Sequence, residues 1–397
     1  MRLADRALAI SPSPTLAIDA QAKKMKAEGV DVISFGVGEP DFDTPQHIKD
    51  AAIEAIESGF TKYTAVAGID MLKQAIVNKL KEDNQLEYTP AQIVVSSGAK
   101  HSLYNAFQVL VNPGDEVIIP APYWVSYIEQ VKLVEGISKI IPTAEHHGFK
   151  LTPQQLEEAI TDKTKVLVLN SPSNPTGAIY TREELVALGQ VLERHDIYII
   201  SDEIYEKLVY DGLTHYSIAS VNPALKDRTV VINGVSKAYS MTGWRIGYAA
   251  AHPKVVKAMT DLQSHATSNP TSIAQKASVI ALSGTQEPLM EMGQEFAKRR
   301  DYMLERLLTM PGITCTRPGG AFYLYPNISA FFGKAYQGQV LHSSTDLADL
   351  LLKEAKIAVV PGEAFGTPEN IRLSYATSMD SIRIGMDRMA EVLNKLV

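Results

Sequence analysis

The sequence predicts an α/β protein in which helices cover a mostly parallel sheet in a large domain, followed by a smaller α+β domain. Short β-branched apolar runs alternate with amphipathic runs through the middle of the chain, which is the pattern of strand–helix–strand units. The chain has 397 residues, enough for two domains of roughly 150 residues or more. The last hundred residues lose the regular alternation, so we expect the second domain there.

Six apolar runs have the length and composition of buried strands. Most are apolar on both faces, as in a parallel sheet that is covered on both sides. The predicted strands cover residues 92–97, 116–120, 166–170, 197–202, 230–234 and 246–250.

Capping sequences mark the start of two helices between these strands. Thr152 is followed by a proline and then by Gln155, and Thr181 is followed by Glu184 ahead of apolar residues at helical spacing. A threonine with Gln or Glu three positions later can form a capping box. We therefore expect helices that begin directly after Thr152 and Thr181.

The C-terminal part mixes helices and strands. The pattern predicts a long helix over 291–308, a strand over 320–325, a helix near 345–355, an apolar segment over 357–360 and a final helix from about Ser378. We predict an N-terminal arm with part of the small domain in 1–45, the large domain in 46–300 and the small domain in 301–397.

Composition excludes several classes of function. Arginine and lysine total 38 against 45 acidic residues, a net charge of −7, which does not favour binding to nucleic acid or to an anionic membrane. The single cysteine, Cys315, provides neither a disulfide framework nor a cysteine-rich zinc site, and we expect no metal. No run approaches the length of a signal sequence or a membrane span. We expect a soluble cytoplasmic protein.

Three short motifs point to other chemistry but are incomplete. The dinucleotide-binding pattern that starts at Gly36 and Gly38 has Asp41 where its third glycine belongs. The segment from Gly234 to Ala238 resembles a hydrolase nucleophile elbow without its last glycine. The His146-His147 pair lacks the glutamate spacing of a zinc protease.

Polar residues instead gather just beyond the predicted strands, in the segments 96–100, 170–177, 201–205 and 236–248. Ligands of doubly wound sheets bind at these carboxyl ends. Together the segments supply a lysine, an aspartate, an asparagine, a tyrosine, an arginine and a glycine turn that leads into a helix. A phosphorylated pyridine aldehyde needs this set of groups.

Three of these segments carry specific motifs: NPTG at 174–177, SDEIY at 201–205 and SKAYSMTGWRIGY at 236–248. With these motifs the sequence resembles the fold-type-I pyridoxal-phosphate aminotransferases, and within them the bacterial aspartate aminotransferase subgroup, from about Ser11 to the C-terminus. The resemblance implies a seven-stranded large-domain sheet and pyridoxal 5'-phosphate as the cofactor.

The resemblance assigns three catalytic residues. Lys237 is expected to form a Schiff base with the cofactor and, once freed, to move a proton at the substrate α-carbon. Its amine must be desolvated or lie near other cations to act as a nucleophile at neutral pH. Asp202 is expected to keep the pyridine nitrogen protonated. Tyr205 and Asn174 are implied to bond the phenolic oxygen of the ring.

The cofactor's phosphate is expected at the start of the helix predicted over 100–110, because a helix N-terminus offers free N–H groups and a favourable dipole. The residues implied to surround it are Ser97, Gly98, Ala99, Ser236 and Arg245. Tyr63 is implied to reach the phosphate of the neighbouring subunit, which predicts a homodimer with shared active sites. Trp124 is implied to stack on the pyridine face.

Substrate contacts complete the prediction. Arg372 matches the arginine that binds the α-carboxylate, a role for which a guanidinium fork is suited, and the Gly38 N–H is expected to support it, beside Trp124 and Asn174. Another subgroup reads the distal carboxylate with a partner-chain arginine, but residues 263–273 contain none. The bacterial subgroup uses a lysine and hydroxyls, and the matching residues here are Lys100, Ser13 and Thr15.

The leading hypothesis is therefore an aspartate aminotransferase that converts L-aspartate and 2-oxoglutarate into oxaloacetate and L-glutamate by ping-pong transamination, with amino acids and 2-oxo acids as partners. A first alternative keeps the fold with aromatic, alanine or prephenate specificity. A second is a non-enzymatic domain of a transcriptional regulator. That class adds an N-terminal DNA-binding domain, whereas only about 45 residues precede the predicted large domain.

Overall fold

A computed structural model describes residues 3–397. Its strands form one large sheet in the middle of the chain and small sheets near the two ends. In chain order they are β1 (Ile33–Ser34), β2 (Ile93–Ser96), β3 (Glu116–Ala121), β4 (Ile137–Pro142), β5 (Thr164–Asn170), β6 (Tyr198–Asp202), β7 (Thr229–Gly234), β8 (Gly247–Ala250), β9 (Tyr323–Leu324), β10 (Ala335–Tyr336), β11 (Gln339–Val340), β12 (Ile357–Ala358), β13 (Val360–Pro361) and β14 (Ile371–Ser374).

The large sheet has seven strands in the order β2-β8-β7-β6-β5-β3-β4. Strand β8 is antiparallel to both of its neighbours, and the other pairs are parallel. The predicted mostly parallel seven-stranded sheet is therefore confirmed. All six strands predicted from apolar runs are present, with ends that differ by one or two residues.

Helices lie on both faces of this sheet and in the terminal segments. They are α1 (Asp5–Leu8), α2 (Pro14–Ala27), α3 (Gln46–Glu57), α4 (Asp70–Asn84), α5 (Ala99–Leu110), α6 (Ser126–Leu133), α7 (Pro153–Ala159), α8 (Arg182–Leu192), α9 (Ile218–Val221), α10 (Pro253–Ala266), α11 (Ser272–Ser283), α12 (Glu287–Leu308), α13 (Ser344–Leu350) and α14 (Met379–Leu393). None of the helices in this described range is long and apolar enough to cross a membrane.

The packing explains why the central strands are apolar on both faces. On β5, Val166 belongs to a core cluster with Phe107 of α5, whereas its neighbour Leu167 belongs to a cluster with Leu188 of α8. Successive side chains of a strand point to opposite faces, so each apolar residue of β5 enters one of two separate cores. Helices therefore cover the sheet on both sides, as expected.

The C-terminal part forms a three-stranded antiparallel sheet, β13-β14-β9. Strand β12 pairs in parallel with β1, which joins the N-terminal segment to this part of the chain. The division predicted at residue 300 falls inside α12, and the three domain boundaries stay a prediction.

Candidate active site

A cavity of about 620 Å³ lies at the carboxyl ends of the central strands. Asn170 and Asp202 end the adjacent strands β5 and β6 in register, and Gly234 ends β7 beside them. The polar segments that follow these strands therefore meet at one edge of the sheet. The predicted site residues that line the cavity are Thr15, Gly38, Ala99, Lys100, Trp124, Asn174, Asp202, Tyr205, Ser236, Lys237, Arg245 and Arg372.

Lys237 lies in the turn after β7, where its amine is largely removed from water. The Nζ atom donates a hydrogen bond of 2.6 Å to the carbonyl oxygen of Gly38. Burial lowers the pKa of Lys237 to about 8; Glu39 opposes this shift, while cations such as Arg245 and Arg372 add to it. About one-tenth of the amine is thus neutral, and nucleophilic, at pH 7, far more than for an ordinary lysine.

Asp202 is a buried carboxylate at the end of β6, with 4% of its surface exposed. Its Oδ2 accepts a hydrogen bond of 2.7 Å from the Tyr127 hydroxyl. Burial raises the pKa of Asp202 to about 6, and the bond from Tyr127 limits the rise. At neutral pH the group is ionised, so it can hold a protonated nitrogen in the cavity.

Two buried tyrosines meet beside this carboxylate. The hydroxyls of Tyr205 and Tyr323 are 2.8 Å apart. Burial raises the pKa of Tyr205 well above its ordinary value, so its phenol keeps its proton and can donate to an oxygen in the cavity. Tyr323 also limits the space at Gly38, where an added Cβ would lie 2.7 Å from the tyrosine hydroxyl.

Arg372 reaches the cavity from β14 and is almost fully buried. Its Nη1 donates to Asn174 Oδ1 at 2.9 Å, and its Nη2 donates to the Gly36 carbonyl at 2.7 Å. The guanidinium carbon lies 4.4 Å from the centre of the Tyr323 ring. Within residues 3–397 these partners are an amide and a carbonyl oxygen rather than a carboxylate, and the Nε atom has no hydrogen-bond partner. Such a fixed and uncompensated guanidinium suits the binding of a carboxylate.

Gly98 and Arg245 meet at the start of α5. Gly98 has a φ of +89°, and an added Cβ would collide with the Arg245 guanidinium. Arg245 Nη2 in turn donates to the Ser97 carbonyl at 3.3 Å. The first N–H groups of a helix lack intrahelical acceptors. Those of His101 and Ser102 donate to the Gly98 carbonyl, so the N–H groups of Ala99 and Lys100, with Arg245 and the buried Ser236, can form a cradle for an anion.

Lys100 and the N-terminal arm supply a second polar group to the same cavity. The Nζ atom of Lys100 lies 4.8 Å from the centre of the Trp124 ring. Partial burial of this ammonium lowers its pKa, and repulsion from Arg245 adds to the effect. Thr15 lines the cavity, whereas Ser13 does not and instead forms a 2.9 Å hydroxyl–hydroxyl bond with Thr15.

Tyr63 is the predicted residue that lies apart from the others. Its side chain is 90% exposed and does not line the cavity. The resemblance assigned this residue to the neighbouring subunit's site, which a single chain does not test.

Sequence analysis missed Tyr127, Tyr323 and Asn170, which also line the cavity. Asn170 holds the NPTG turn: its Oδ1 accepts from the Asn174 N–H at 2.8 Å, and its Nδ2 donates to the Asp202 carbonyl at 2.9 Å. Asn170 could have been found from the sequence, because it is a polar residue at the end of an apolar strand. Tyr323 lies within an apolar segment and Tyr127 within an amphipathic one, and neither has such a signal.

Comparison with known proteins agrees with this geometry. The sequence model of the family "Aminotransferase class I and II" matches residues 30–389, so the chain belongs to this family of enzymes. Members of the class I family use pyridoxal phosphate.

Named relatives cover essentially the whole chain. It is 55% identical to an aspartate aminotransferase of Geobacillus stearothermophilus, over 98% of both chains. It is 49% identical to an aspartate/prephenate aminotransferase of Nitrosomonas europaea, over 99% of this chain and 100% of the relative. The crystal structure of an aspartate aminotransferase from Rhizobium meliloti matches it with a TM-score of 0.97 at 45% identity, over 100% of both chains.

Proposed function

We propose that this chain is a pyridoxal-phosphate-dependent aspartate aminotransferase that exchanges amino groups between L-aspartate and 2-oxoglutarate. One observation supports the proposal above all. A buried lysine amine, a buried carboxylate and a fixed arginine, namely Lys237, Asp202 and Arg372, face the same cavity. An aminotransferase needs a nucleophilic amine, a partner for the cofactor's ring nitrogen and a cation for the substrate's α-carboxylate.

The residues around the cavity fit the cofactor. The cradle at Gly98 and Arg245 would hold its phosphate, Asp202 its ring nitrogen, and Tyr205 and Asn174 its phenolic oxygen. Pyridoxal phosphate, when bound, supplies an electron-accepting ring that stabilises negative charge at the substrate α-carbon.

The protein's own groups orient the substrate and handle the proton. Arg372 would bind the α-carboxylate and so place the α-hydrogen near Lys237. A neutral Lys237 amine can accept that proton and deliver it again. Because its pKa is about 8, the amine can serve both as base and as acid near neutral pH.

Replacement of the lysine tests the proposed chemistry. Lys237→Ala should lose transamination by several orders of magnitude, because no other amine in the cavity is held near the reacting carbon. The loss should be measured as the initial rate with aspartate and 2-oxoglutarate. Lys298→Ala, at an exposed lysine of α12 that pairs with Glu295, is the control and should keep the wild-type rate. Near-normal turnover by Lys237→Ala would refute the mechanism.

The proposed specificity for aspartate rests on Lys100, a cationic group in addition to Arg372. Lys100 and Thr15 line the cavity and would bind a distal carboxylate, whereas Ser13 lies outside the lining and would act only through its bond to Thr15. The Nitrosomonas europaea relative is named for both aspartate and prephenate, which favours prephenate as a second candidate acceptor. Initial rates with aspartate, glutamate, alanine, phenylalanine and prephenate on one preparation would distinguish these readings. Negligible activity with aspartate would refute the specificity and leave the cofactor assignment intact.

A homodimer with shared sites is the final part of the proposal. Tyr63 is too exposed to serve its own cavity, and Ile53 and Ile56 of the nearby α3 are 50% and 54% exposed. A second copy that covers this face would bury these apolar side chains and bring Tyr63 to the partner's phosphate cradle. The cytoplasmic location stays a prediction.

A further inference from the structure

The loop that carries Tyr63 is tied down on both sides although Tyr63 itself points outward. We call residues 60–69 the Tyr63 loop. Gln275 Nε2 donates to Thr64 Oγ1 at 3.0 Å, and Gln275 Oε1 accepts from the Ile69 N–H at 2.8 Å. At the start of the loop, Ser272 Oγ donates to the Phe60 carbonyl at 3.0 Å. The backbone around the exposed aromatic is therefore held in place.

Gln263 links this loop to the end of strand β2. It is fully buried, and its Nε2 donates to the carbonyls of Val66 and Val95, both at 2.9 Å. Its Oε1 accepts from Ser96 Oγ at 2.7 Å and from Asn105 Nδ2 at 3.0 Å. A primary amide has two donors and two acceptor positions, so every one of them is used.

These four bonds connect two parts of the proposed phosphate site. Val66 lies in the Tyr63 loop, three residues from Tyr63. Ser96 ends β2 and is followed directly by Ser97 and Gly98 of the cradle. Gln263 is the first residue of the stretch 263–273. Another subgroup carries a substrate-binding arginine in this stretch, and this chain carries none.

We propose that Gln263 is a positioning residue for the cofactor's phosphate. It fixes the Tyr63 loop relative to its own subunit's cradle, and through Tyr63 it fixes one contact to the phosphate of the partner subunit. This inference rests on the proposed cofactor and homodimer. Loss of the amide leaves four buried polar groups without their partner. The end of β2 is also held by its pairing with β8, so the Tyr63 loop is the part that shifts.

Cofactor binding with and without the phosphate group tests this role. We would measure dissociation of pyridoxal phosphate and of pyridoxal from wild-type protein, Gln263→Met, Tyr63→Phe and the double variant by absorbance. Gln263→Met should weaken pyridoxal phosphate binding roughly tenfold, the effect of losing about one good hydrogen bond, and should change pyridoxal binding less than about twofold. The double variant should bind about as Tyr63→Phe does, because both changes act on one contact.

Other variants keep the test decisive. Gln275→Met removes the hydrogen bonds from Gln275 to Thr64 and Ile69 of the Tyr63 loop. It should also weaken pyridoxal phosphate binding, and it replaces Gln263→Met in the test if that variant does not fold. Asn222→Leu removes a buried amide that bonds Glu193 far from the cavity and should leave both affinities unchanged. The inference would be overturned if Gln263→Met weakened the binding of pyridoxal phosphate and of pyridoxal equally, or weakened neither. It would also be overturned if the effects of Gln263→Met and Tyr63→Phe on pyridoxal phosphate binding multiplied in the double variant. A wild-type protein that binds no pyridoxal phosphate would instead refute the proposed function.

Discussion

At the scale of single residues, the cavity combines one buried amine with several cations and a buried acid. Lys237 and Arg372 are held by carbonyl oxygens, those of Gly38 and Gly36, rather than by carboxylates. Carbonyl oxygens orient a cation without neutralising it. The protein thus keeps positive charge available for an anionic cofactor and anionic substrates, at a cost in stability when neither is bound.

The pKa of Lys237 leads to a prediction for the apoenzyme. Burial lowers this pKa from the ordinary 10.5 to about 8, so the amine loses its proton as pH rises through 8. The rate at which the apoenzyme takes up pyridoxal should rise with pH to a midpoint near 8 and then level off. Stopped-flow absorbance between about pH 6 and 11 checks this. A rate that keeps rising beyond pH 10 would contradict it.

Replacement of Asp202 should change stability and activity in opposite directions. Its pKa is raised from 3.8 to about 6, so keeping it ionised at pH 7 destabilises the apoenzyme. A shift of about two units corresponds to roughly 3 kcal/mol. Asp202→Asn should raise apoenzyme stability by up to that amount at pH 7, while transamination is lost. The destabilisation by the ionised Asp202 decreases as pH falls from about 6 towards 3.8, so the gain in stability should shrink below about pH 6 and be lost near pH 4.

Urea unfolding of both apoproteins at several pH values measures that difference. A variant that is less stable than wild type at pH 7 would contradict the prediction. The control is Asp227→Asn, at an acid outside the residues that line the cavity, which should change stability little.

Sequence reasoning found the residues whose chemistry is distinctive and missed those whose role depends on packing. Lys237 and Arg372 stand in motifs, but Tyr127 resembles any tyrosine of an amphipathic helix. Only the fold brings its hydroxyl within 2.7 Å of Asp202, 75 positions along the chain. Contacts across such separations leave no local pattern.

At the scale of elements, the strand ends were predictable and one edge of the sheet was not. Strand β4 was missed because none of its residues is buried and it ends in Pro142. It is an edge strand beside β3, so it lacks the continuous apolar run that marked the central strands. The strand predicted over 320–325 is only Tyr323–Leu324, since the N–H groups of Gly320 and Ala321 bond the Gly177 and Leu208 carbonyls instead.

Helix ends were predictable where a capping sequence exists. Thr181 Oγ1 accepts from the Glu184 N–H at 3.2 Å, and Glu184 Oε2 accepts from the Thr181 N–H at 2.8 Å. Thr181→Ala should therefore lower the free energy of unfolding by about 1 kcal/mol, with transamination unchanged because α8 lies away from the cavity. Urea unfolding checks this, with the neighbouring exposed Arg182→Ala as control. Equal stability of Thr181→Ala and wild type would show that the cap contributes nothing.

At the scale of the whole molecule, distant parts of the chain converge on one cavity. The N-terminal arm supplies Thr15, the central strands supply Asp202 and Lys237, and β14 supplies Arg372. The number of strands in the sheet followed from the resemblance rather than from periodicity, and the strand order is known only from the structure. Exposed apolar residues on α3 suggest that the functional unit is larger than one chain.

The dimer can be tested on that helix. Ile56→Asp places a charge where we propose that a second copy packs, so it should shift the protein towards monomers in sedimentation analysis and weaken cofactor binding through loss of the partner's Tyr63. Leu308→Asp is the matched control, because Leu308 is 53% exposed against 54% for Ile56 but lies at the end of α12. Monomeric wild-type protein with full activity would contradict the shared site.

The proposed mechanism requires that the cofactor be attached to Lys237 and face Asp202. Borohydride reduction of the freshly purified protein followed by peptide mass spectrometry tests it most directly. We predict a single phosphopyridoxyl group on the peptide that contains Lys237, and none when aspartate has first displaced the lysine. An unmodified Lys237, or the same group attached to a different lysine, would contradict the account.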